Sequence, residues 1–244
     1  MIGIVVVSHS AALADAAVAL AEEMVHCRGP VIAVAAGAAG GFGTDATVVA
    51  AALAKAASPD GVLVLMDLGS AVLSAELALE LSPPDHPVRL SPAPLVEGLV
   101  AAVVRAAGGA DLDTVAGEAE AALLPKASSL RDPTPAAAPS TGPSSAPALD
   151  ETAHVDAQAR LTLPNPLGLH ARPAAQVATA VGGLAADVTV EFGGQRADAA
   201  SSLELLTLGA GQGAEITVTA TGPDAERAIT AVRDLVLAGF GELG

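Results

Sequence analysis

His170 stands where the sequence predicts that a turn gives way to a helix. Alternating apolar residues at 161–163 predict a strand, and the prolines and glycine of 164–168 predict a turn. Since proline is tolerated in a helix only within the first turn, Pro173 predicts a helix start after Ala171. There, free backbone N–H groups can hold the phosphoryl anion after a ring nitrogen has attacked phosphorus, and Arg172 adds a planar fork of donors. The segment therefore predicts a phosphorylated histidine.

A second histidine, His9, follows the first apolar run of the chain. A glycine-rich loop at 37–44 follows the second run, and Asp67 with Ser70 follows the third. If these runs are parallel strands, their carboxyl ends share one crevice, and the aspartate can accept a ring N–H of the histidine and fix its tautomer. The alternative is that Asp67 only caps the helix that follows it.

The elements that must position these residues alternate between strand and helix. Short, continuous apolar runs at 2–7, 31–35 and 62–66 are typical of strands buried on both faces, and alanine-rich helical stretches follow them. Val88–Leu90 predicts a further strand, Pro94 opens another helix, and Asp111 is expected to cap a last one. This half of the chain is therefore predicted to be an α/β domain with a parallel sheet.

A change in composition divides the chain into two domains. Residues 129–156 are rich in proline, alanine and serine and have no apolar periodicity, which predicts a flexible, disordered linker. The predicted domains are therefore 1–128 and 157–244. The linker is long enough to span roughly 30 Å, so it could hold the two domains at a high effective concentration.

Composition excludes some classes of function. The chain has 244 residues and a net charge of −16, and its 11 basic residues are dispersed, which argues against binding to nucleic acid. Its one cysteine, Cys27, fits a reducing compartment. His26 beside it lacks a second pair of ligands, so no metal site is predicted. The apolar start of the chain lacks a basic region and is interrupted by polar residues, so a cytoplasmic protein with no membrane contact is expected.

The second half resembles the phosphocarrier protein HPr of the sugar phosphotransferase system. The resemblance covers 159–242 and is carried by 167–175 (LGLHARPAA), 198–209 (DAASSLELLTLG) and 238–242 (AGFGE). It implies a small α+β open-faced sandwich in which His170 accepts a phosphoryl group from enzyme I and Arg172 assists. It also implies that Ser201 matches a regulatory serine. The alternative role for Ser201 is to cap a short helix at 202–208.

The first half resembles the mannose-type EIIA domains of the DhaM-type phosphoryl donor subunits of phosphotransferase-dependent dihydroxyacetone kinase. The matching segments are 5–10 (VVVSHS), 43–46 (GTDA), 61–71 (GVLVLMDLGSA) and 93–98 (APLVEG). The resemblance implies that His9 is phosphorylated, that Asp67 is its partner, and that the domain forms a homodimer.

Together the two resemblances imply a phosphotransferase that needs no cofactor or metal of its own. Enzyme I would pass the phosphoryl group of phosphoenolpyruvate to His170, then to His9, and finally to ADP on the nucleotide-binding subunit of the kinase, which works with a dihydroxyacetone-binding subunit. Two alternatives stay open. The chain could be a phosphorylation-sensing regulator or a sugar-transport component. The pattern G-x-G-x-x-A at 41–46 also fits a nicotinamide-dependent oxidoreductase.

Overall fold

A computed structural model describes residues 1–25, 29–38, 41–129 and 155–242. Within these residues the chain forms two domains, each with its own sheet and core. Most of the predicted linker, at 130–154, lies outside the described residues, as do His26 and Cys27. None of the described helices is both long and apolar enough to cross a membrane.

The first domain contains a four-stranded parallel sheet with the strand order β2-β1-β3-β4. Its elements, in chain order, are β1 Gly3–Ser8, α1 Ala11–Glu22, β2 Ile32–Ala36, α2 Ala46–Lys55, β3 Val62–Met66, α3 Gly69–Leu81, β4 Val88–Ser91, α4 Leu95–Ala107, α5 Leu112–Glu120 and α6 Leu124–Ser129. A 3-10 turn, Ala121–Leu123, joins the last two helices. The predicted parallel α/β domain is confirmed.

Every residue of β1 is buried, which explains why this strand is continuously apolar in sequence. Ile4 and Val6 face a core shared with α1, α4 and α5, while Val5 and Val7 face a second core shared with α2 and α3. Helices therefore cover both faces of the sheet, as parallel sheets require. Much of the helical contribution is alanine, which lets the helices pack close to the sheet.

The strands differ from the predicted ones only at their ends. The first two begin and end one residue later than predicted, at Gly3–Ser8 and Ile32–Ala36, whereas the third matches. The side chain of Asp111 accepts a hydrogen bond from the Thr114 amide at the start of α5, which confirms the predicted cap. The sequence did not predict α6.

The second domain contains a four-stranded antiparallel sheet with the order β5-β8-β6-β7. Its elements are β5 Ala157–Thr162, α7 Ala171–Gly182, β6 Asp187–Phe192, β7 Gln195–Asp198, α8 Ser202–Thr207, β8 Glu215–Thr221 and α9 Ala225–Leu237, followed by a 3-10 turn at Gly239–Gly241. In β5, buried and exposed residues alternate, because helices cover one face of this sheet only. The predicted open-faced α+β sandwich is confirmed.

Candidate functional site

Each of the two predicted histidines lies within two residues of the start of a helix. His9 follows β1 and precedes Ser10, whose side chain caps α1 by accepting a hydrogen bond from the Leu13 amide. β1 lies between β2 and β3, so the crevice at its carboxyl end is bordered by the loops that follow all three strands. This position explains why residues distant in sequence meet at His9.

Asp67 contacts His9 at two points. Its Oδ1 lies 2.9 Å from Nδ1 of the His9 ring, and its Oδ2 accepts the His9 backbone N–H at 2.8 Å. Oδ2 also accepts a hydrogen bond from the Ser8 hydroxyl at 2.9 Å, and Oδ1 accepts one from the Leu68 amide at 2.7 Å. The carboxylate therefore fixes both the backbone and the ring of His9. Nδ1 is the protonated nitrogen, and Nε2 is left to act as a nucleophile.

The hydrogen bonds also decide the charge of Asp67. Partial burial raises the pKa of this carboxyl group, but hydrogen bonds from the His9 backbone, the His9 ring, Ser8 and Leu68 outweigh burial and hold the pKa below the ordinary value of 3.8. Asp67 is therefore a carboxylate at neutral pH and can stabilise positive charge on the ring.

Nε2 of His9 faces the N-terminus of α3. Ser70 lies in the first turn of that helix, and its hydroxyl oxygen is 2.7 Å from Nε2. The first N–H groups of a helix have no partner within the helix, and they carry the positive end of its dipole. Any anion bound to Nε2 would thus meet both a hydroxyl donor and a helix N-terminus.

The glycine-rich loop after β2 also reaches His9. The Gly43 amide donates to the His9 carbonyl at 2.9 Å, and the Gly37 amide donates to the Ser8 carbonyl at 3.1 Å. Two loop residues, 39 and 40, lie outside the described part of the chain. The structure therefore brings His9, Asp67, Ser70 and this loop together, as predicted from the three strand ends.

His170 is the N-cap residue of α7, which begins at Ala171, one residue earlier than predicted. The preceding loop is held by Gly168, which has a left-handed φ of 63°. A Cβ atom added to Gly168 would lie 2.1 Å from the Ala210 carbonyl oxygen, to which the Leu169 amide donates at 2.9 Å. Glycine is thus required at 168 both for backbone conformation and for close approach.

The ring of His170 contacts a carboxylate that the sequence did not predict. Nε2 of His170 lies 2.8 Å from Oε1 of Glu242, and the other carboxylate oxygen accepts a hydrogen bond from Nδ2 of Asn165 at 2.9 Å. Asn165 is fully buried, and it also donates to the Gly168 carbonyl. Glu242 is therefore fixed against the ring, and the nitrogen left to act as a nucleophile is Nδ1.

An unusual backbone conformation brings Glu242 to this position. Three consecutive residues, Gly239, Phe240 and Gly241, have left-handed φ values of 57°, 55° and 72°. Phe240 is bulky and buried, so its left-handed backbone is strained. A strained turn of this kind is found where the surrounding structure imposes it, and here the turn returns the chain to His170. Its glycines were the only signal of it in the sequence.

The second domain contains two other predicted residues, Arg172 and Ser201. Arg172 lies in the first turn of α7, two residues after His170. Ser201 is the N-cap residue of α8, and its hydroxyl oxygen accepts a hydrogen bond from the Glu204 amide at 3.2 Å. This is the capping geometry predicted as the alternative to a regulatory role. The Ser201 hydroxyl also donates to Glu118 of the first domain.

Family models match both domains. Residues 3–116 match the model described as "PTS system fructose IIA component", and residues 157–237 match "PTS HPr component phosphorylation site". The fold, the two histidine sites and these matches together define a fusion of two components of the phosphotransferase system.

Curated relatives narrow this class. The chain is 40% identical to the phosphoryl donor subunit DhaM of PEP-dependent dihydroxyacetone kinase from Providencia stuartii and 39% identical to that from Escherichia coli. Each match covers 99% of this chain and 51% of the relative, so the chain spans about half the length of these proteins. A third relative, the DhaM of dihydroxyacetone kinase 2 from Listeria innocua, is 36% identical over 43% of this chain and 86% of its own length. The chain belongs to the DhaM family.

Proposed function

We propose that the chain relays a phosphoryl group through its two histidines to a dihydroxyacetone kinase. Enzyme I, charged by phosphoenolpyruvate, phosphorylates His170, and His170 phosphorylates His9. His9 then phosphorylates ADP held on the nucleotide-binding subunit of the kinase, and the dihydroxyacetone-binding subunit supplies the final acceptor. In this role the chain is a phosphotransferase subunit that works in the cytoplasm.

The observation that carries the proposal is that each histidine has a carboxylate on a different ring nitrogen. Asp67 holds Nδ1 of His9, and Glu242 holds Nε2 of His170. The reactive nitrogens are therefore Nε2 of His9 and Nδ1 of His170. A carboxylate that fixes the tautomer leaves one lone pair in a defined direction, which is what in-line attack on phosphorus requires.

The chemistry of the central step balances without a separate acid or base. The Nε2 lone pair of His9 attacks the phosphorus carried by His170, and the bond from phosphorus to Nδ1 breaks, returning its electron pair to that nitrogen. Each ring keeps the proton on its other nitrogen throughout. The positive charge thus leaves the His170 ring, beside Glu242, and forms on the His9 ring, beside Asp67. Because the bond made resembles the bond broken, positioning carries the catalysis.

Groups that can hold the phosphoryl oxygens lie at both sites. At His9, we assign this role to the Ser70 hydroxyl and the N-terminus of α3. At His170, we assign it to the N-terminus of α7 and to the guanidinium of Arg172. Pro173 has no N–H group, so the amides of residues 171 and 172 are the donors of that first turn.

Net charge favours a protein-bound nucleotide as the acceptor. Residues 1–128 carry 14 acidic and five basic side chains, a net charge of −9. A free nucleotide is repelled by such a domain, whereas a nucleotide enclosed in a protein partner presents the partner's own surface. The dinucleotide-binding alternative has less support, because the amide of Gly43 is already used by the His9 carbonyl.

We also propose that the first domain forms a homodimer through α3. Leu73, Leu77 and Leu81 recur every four residues along this helix and are 66%, 46% and 64% exposed. Such a stripe lies on one face, and solvent-exposed leucines in a row are typical of an interface. For Ser201, we propose the capping role that its geometry supports.

A labelling experiment tests the relay. The chain is incubated with enzyme I and labelled phosphoenolpyruvate. His170→Ala should leave both domains unlabelled, whereas His9→Ala should label the second domain only. Asp67→Asn should label His170 normally but slow the charging of His9 at least about tenfold, because the ring loses its fixed tautomer and its counter-charge. Asp15→Asn, on an exposed position of α1, is the matched control.

The acceptor is tested with the complete set of partners. Chain phosphorylated on His9 should lose its phosphate quickly only when the nucleotide-binding subunit and ADP are both present. Triose phosphate should accumulate when the dihydroxyacetone-binding subunit is added. Stable phosphohistidine in that mixture would reject the kinase assignment and favour a regulatory or sugar-transport role. In the labelling experiment with enzyme I, a His170→Ala protein labelled as strongly as the original chain would reject the order of transfer.

A further inference from the structure

The second domain contacts the first at one defined surface. Val104 of α4 packs against Ala175 and Ala178 of α7, and Met24 and Val25, which follow α1, pack against the same cluster. These five apolar residues come from both domains, although 25 residues separate α6 from the first described residue of the second domain. We call this surface the dock.

Polar contacts surround the apolar part of the dock. A guanidinium nitrogen of Arg105 donates to the Ala200 carbonyl, and a second lies 4.0 Å from Asp198. Glu118 of α5 accepts a hydrogen bond from Ser201, which is only 3% exposed. Burial raises the pKa of the Glu118 carboxyl group, which is consistent with a covered contact. The dock thus covers the N-terminal end of α8 as well as one face of α7.

Two glycines let the helices meet without side chains. A Cβ atom added to Gly182, at the end of α7, would have as its nearest neighbours the backbone of Gly108, with 3.0 Å to its Cα and 3.2 Å to its carbonyl oxygen. Both residues end their helices, and neither requires a left-handed backbone. The two glycines are therefore needed for the close approach of the two domains and not for the backbone conformation at either helix end.

The apolar part of the dock lies towards the edge of the sheet opposite His9, whereas the Ser201–Glu118 contact lies nearer the start of α4, because Gly98 of α4 adjoins Ala119 of α5. In a parallel sheet, helices that follow strands begin at the carboxyl edge and run back to the amino edge. α1 begins beside His9, and its 12 residues extend about 18 Å before the chain reaches Met24 and Val25. α4 likewise begins after β4 and reaches the dock at its last turn. The apolar surface that receives the second domain, called the carrier domain from here on (residues 157–242), is therefore distinct from the crevice that holds His9.

We propose that the dock is a resting site for the carrier domain, and that phosphoryl transfer to His9 requires release from it. In-line transfer needs the two reacting atoms within about 3.5 Å of each other. The docked carrier presents the α7 face to the far end of α1 instead. The claim that transfer requires release rests on the proposed relay through His170 and His9. The contact between the two domains does not rest on that relay.

A distance measurement tests the dock without any phosphate. In a Cys27→Ser background, spin labels are placed at exposed positions in the two domains, Ala51→Cys and Arg233→Cys. Double electron–electron resonance should give one narrow distribution of distances between the two labels in the full chain. Gly182→Leu should broaden it, because the leucine side chain would overlap Gly108. Arg105→Ala removes the contacts of the first domain with Ala200 and Asp198 and should also broaden the distance distribution. Circular dichroism checks that both variants fold.

The matched control is Gly117→Leu, because position 117 is exposed on α5 and a Cβ atom there meets nothing within 4 Å. This control should keep the narrow population. A broad distribution in the unchanged chain would show that the domains are freely tethered and would overturn the dock. The distances decide this point whether or not His9 becomes phosphorylated, so failure of the relay and failure of the dock are distinguishable.

The role of the dock as a resting site is tested by single-turnover transfer from phosphorylated His170 to His9. If molecules with a docked carrier domain cannot transfer the phosphoryl group, only the released molecules react. Gly182→Leu, which weakens the dock, should then raise the rate of transfer several-fold. The Gly117→Leu control should keep the original rate. A slower rate in Gly182→Leu together with a broadened distance distribution would show that the dock is itself the arrangement for transfer, and would overturn the proposal.

Discussion

Nε2 of His170 lies 2.8 Å from a carboxylate oxygen of Glu242, 72 residues further along the chain. In the first domain, the carboxylate of Asp67 faces Nδ1 of His9, which is the opposite position on the imidazole ring. Two unrelated folds therefore use the same device, a carboxylate on one imidazole nitrogen, with opposite choices of nitrogen. In the relay that we propose, the opposite choices leave Nδ1 of His170 and Nε2 of His9 to exchange the phosphoryl group.

Removing the charge of Glu242 should show whether it does more than hold the ring. Glu242→Gln keeps an oxygen that can accept from Nε2–H but cannot stabilise the positive ring that forms on phosphorylation. We expect phosphorylation of His170 by enzyme I to slow about tenfold, equivalent to about 1.4 kcal/mol in the barrier. Rapid-quench labelling measures this rate, and nitrogen NMR of labelled histidine reports the tautomer.

Glu215→Gln serves as the control for that experiment, because Glu215 is exposed at the start of β8. It removes the same charge from the same domain and should leave the rate unchanged. NMR of the unchanged chain should show the proton on Nε2 and, after phosphorylation, phosphorus on Nδ1. Phosphorus on Nε2 would contradict the assignment of Glu242.

The hydrogen bonds to Asp67 predict how the stability of the first domain depends on pH. The pKa of Asp67 is lower in the folded chain than its ordinary value of 3.8, so the unfolded chain binds more protons in that range. The stabilisation from Asp67 is thus fully present above about pH 4 to 5 and is lost as the pH falls through the folded-state pKa. Asp67→Asn removes this contribution.

Denaturant unfolding of the two proteins at several pH values measures the effect. The difference in free energy of unfolding between the original chain and Asp67→Asn should be constant near neutral pH and should shrink in acid. Asp15→Asn, at an exposed position of α1, removes a carboxylate from the same domain and is the control for the substitution itself. A difference that stays constant down to the acid range would mean that the pKa of Asp67 is not lowered by folding.

Much of the first site could be predicted from sequence because its parts follow three buried strands. Once 2–7, 31–35 and 62–66 are taken as parallel strands, His9, the glycine loop and Asp67 must meet at one edge. Ser70 was within the predicted group, but its contact with Nε2 depends on the start of α3, which no residue type marks. The helix has no side-chain cap, since its N-cap residue is Leu68.

Glu242 and the dock could not be predicted for different reasons. Glu242 reaches His170 through a left-handed turn containing Phe240, a conformation that residue type disfavours. On α4 and α7, the apolar residues of the dock are one valine and two alanines, at spacings that an ordinary helical core would also show. Nothing in such a pattern distinguishes a residue that faces its own sheet from one that faces another domain.

Gly168 is predicted to be the glycine on which the His170 loop depends most. Gly168→Ala would combine a left-handed backbone with a Cβ atom 2.1 Å from the Ala210 carbonyl oxygen, so the loop must move. Gly209→Ala has the same kind of backbone, with φ at 61°, but meets nothing within 4 Å. It should cost only the conformational term, about 1 to 2 kcal/mol. Gly168→Ala should cost clearly more and also slow phosphorylation of His170, as measured by unfolding and labelling.

Charge placed on α3 should separate the proposed homodimer. Leu77 lies at the middle of the exposed leucine stripe, so Leu77→Glu would place carboxylates against the same face of the partner copy and remove apolar area from the interface. We expect sedimentation to show a dimer for the original chain and a monomer for Leu77→Glu at micromolar concentration. Leu237→Glu is the control, since Leu237 is equally apolar and 71% exposed but lies at the end of α9 in the other domain. It should remain dimeric. If Leu77→Glu stays dimeric while Leu237→Glu dissociates, the interface belongs to the second domain and the assignment to α3 is wrong.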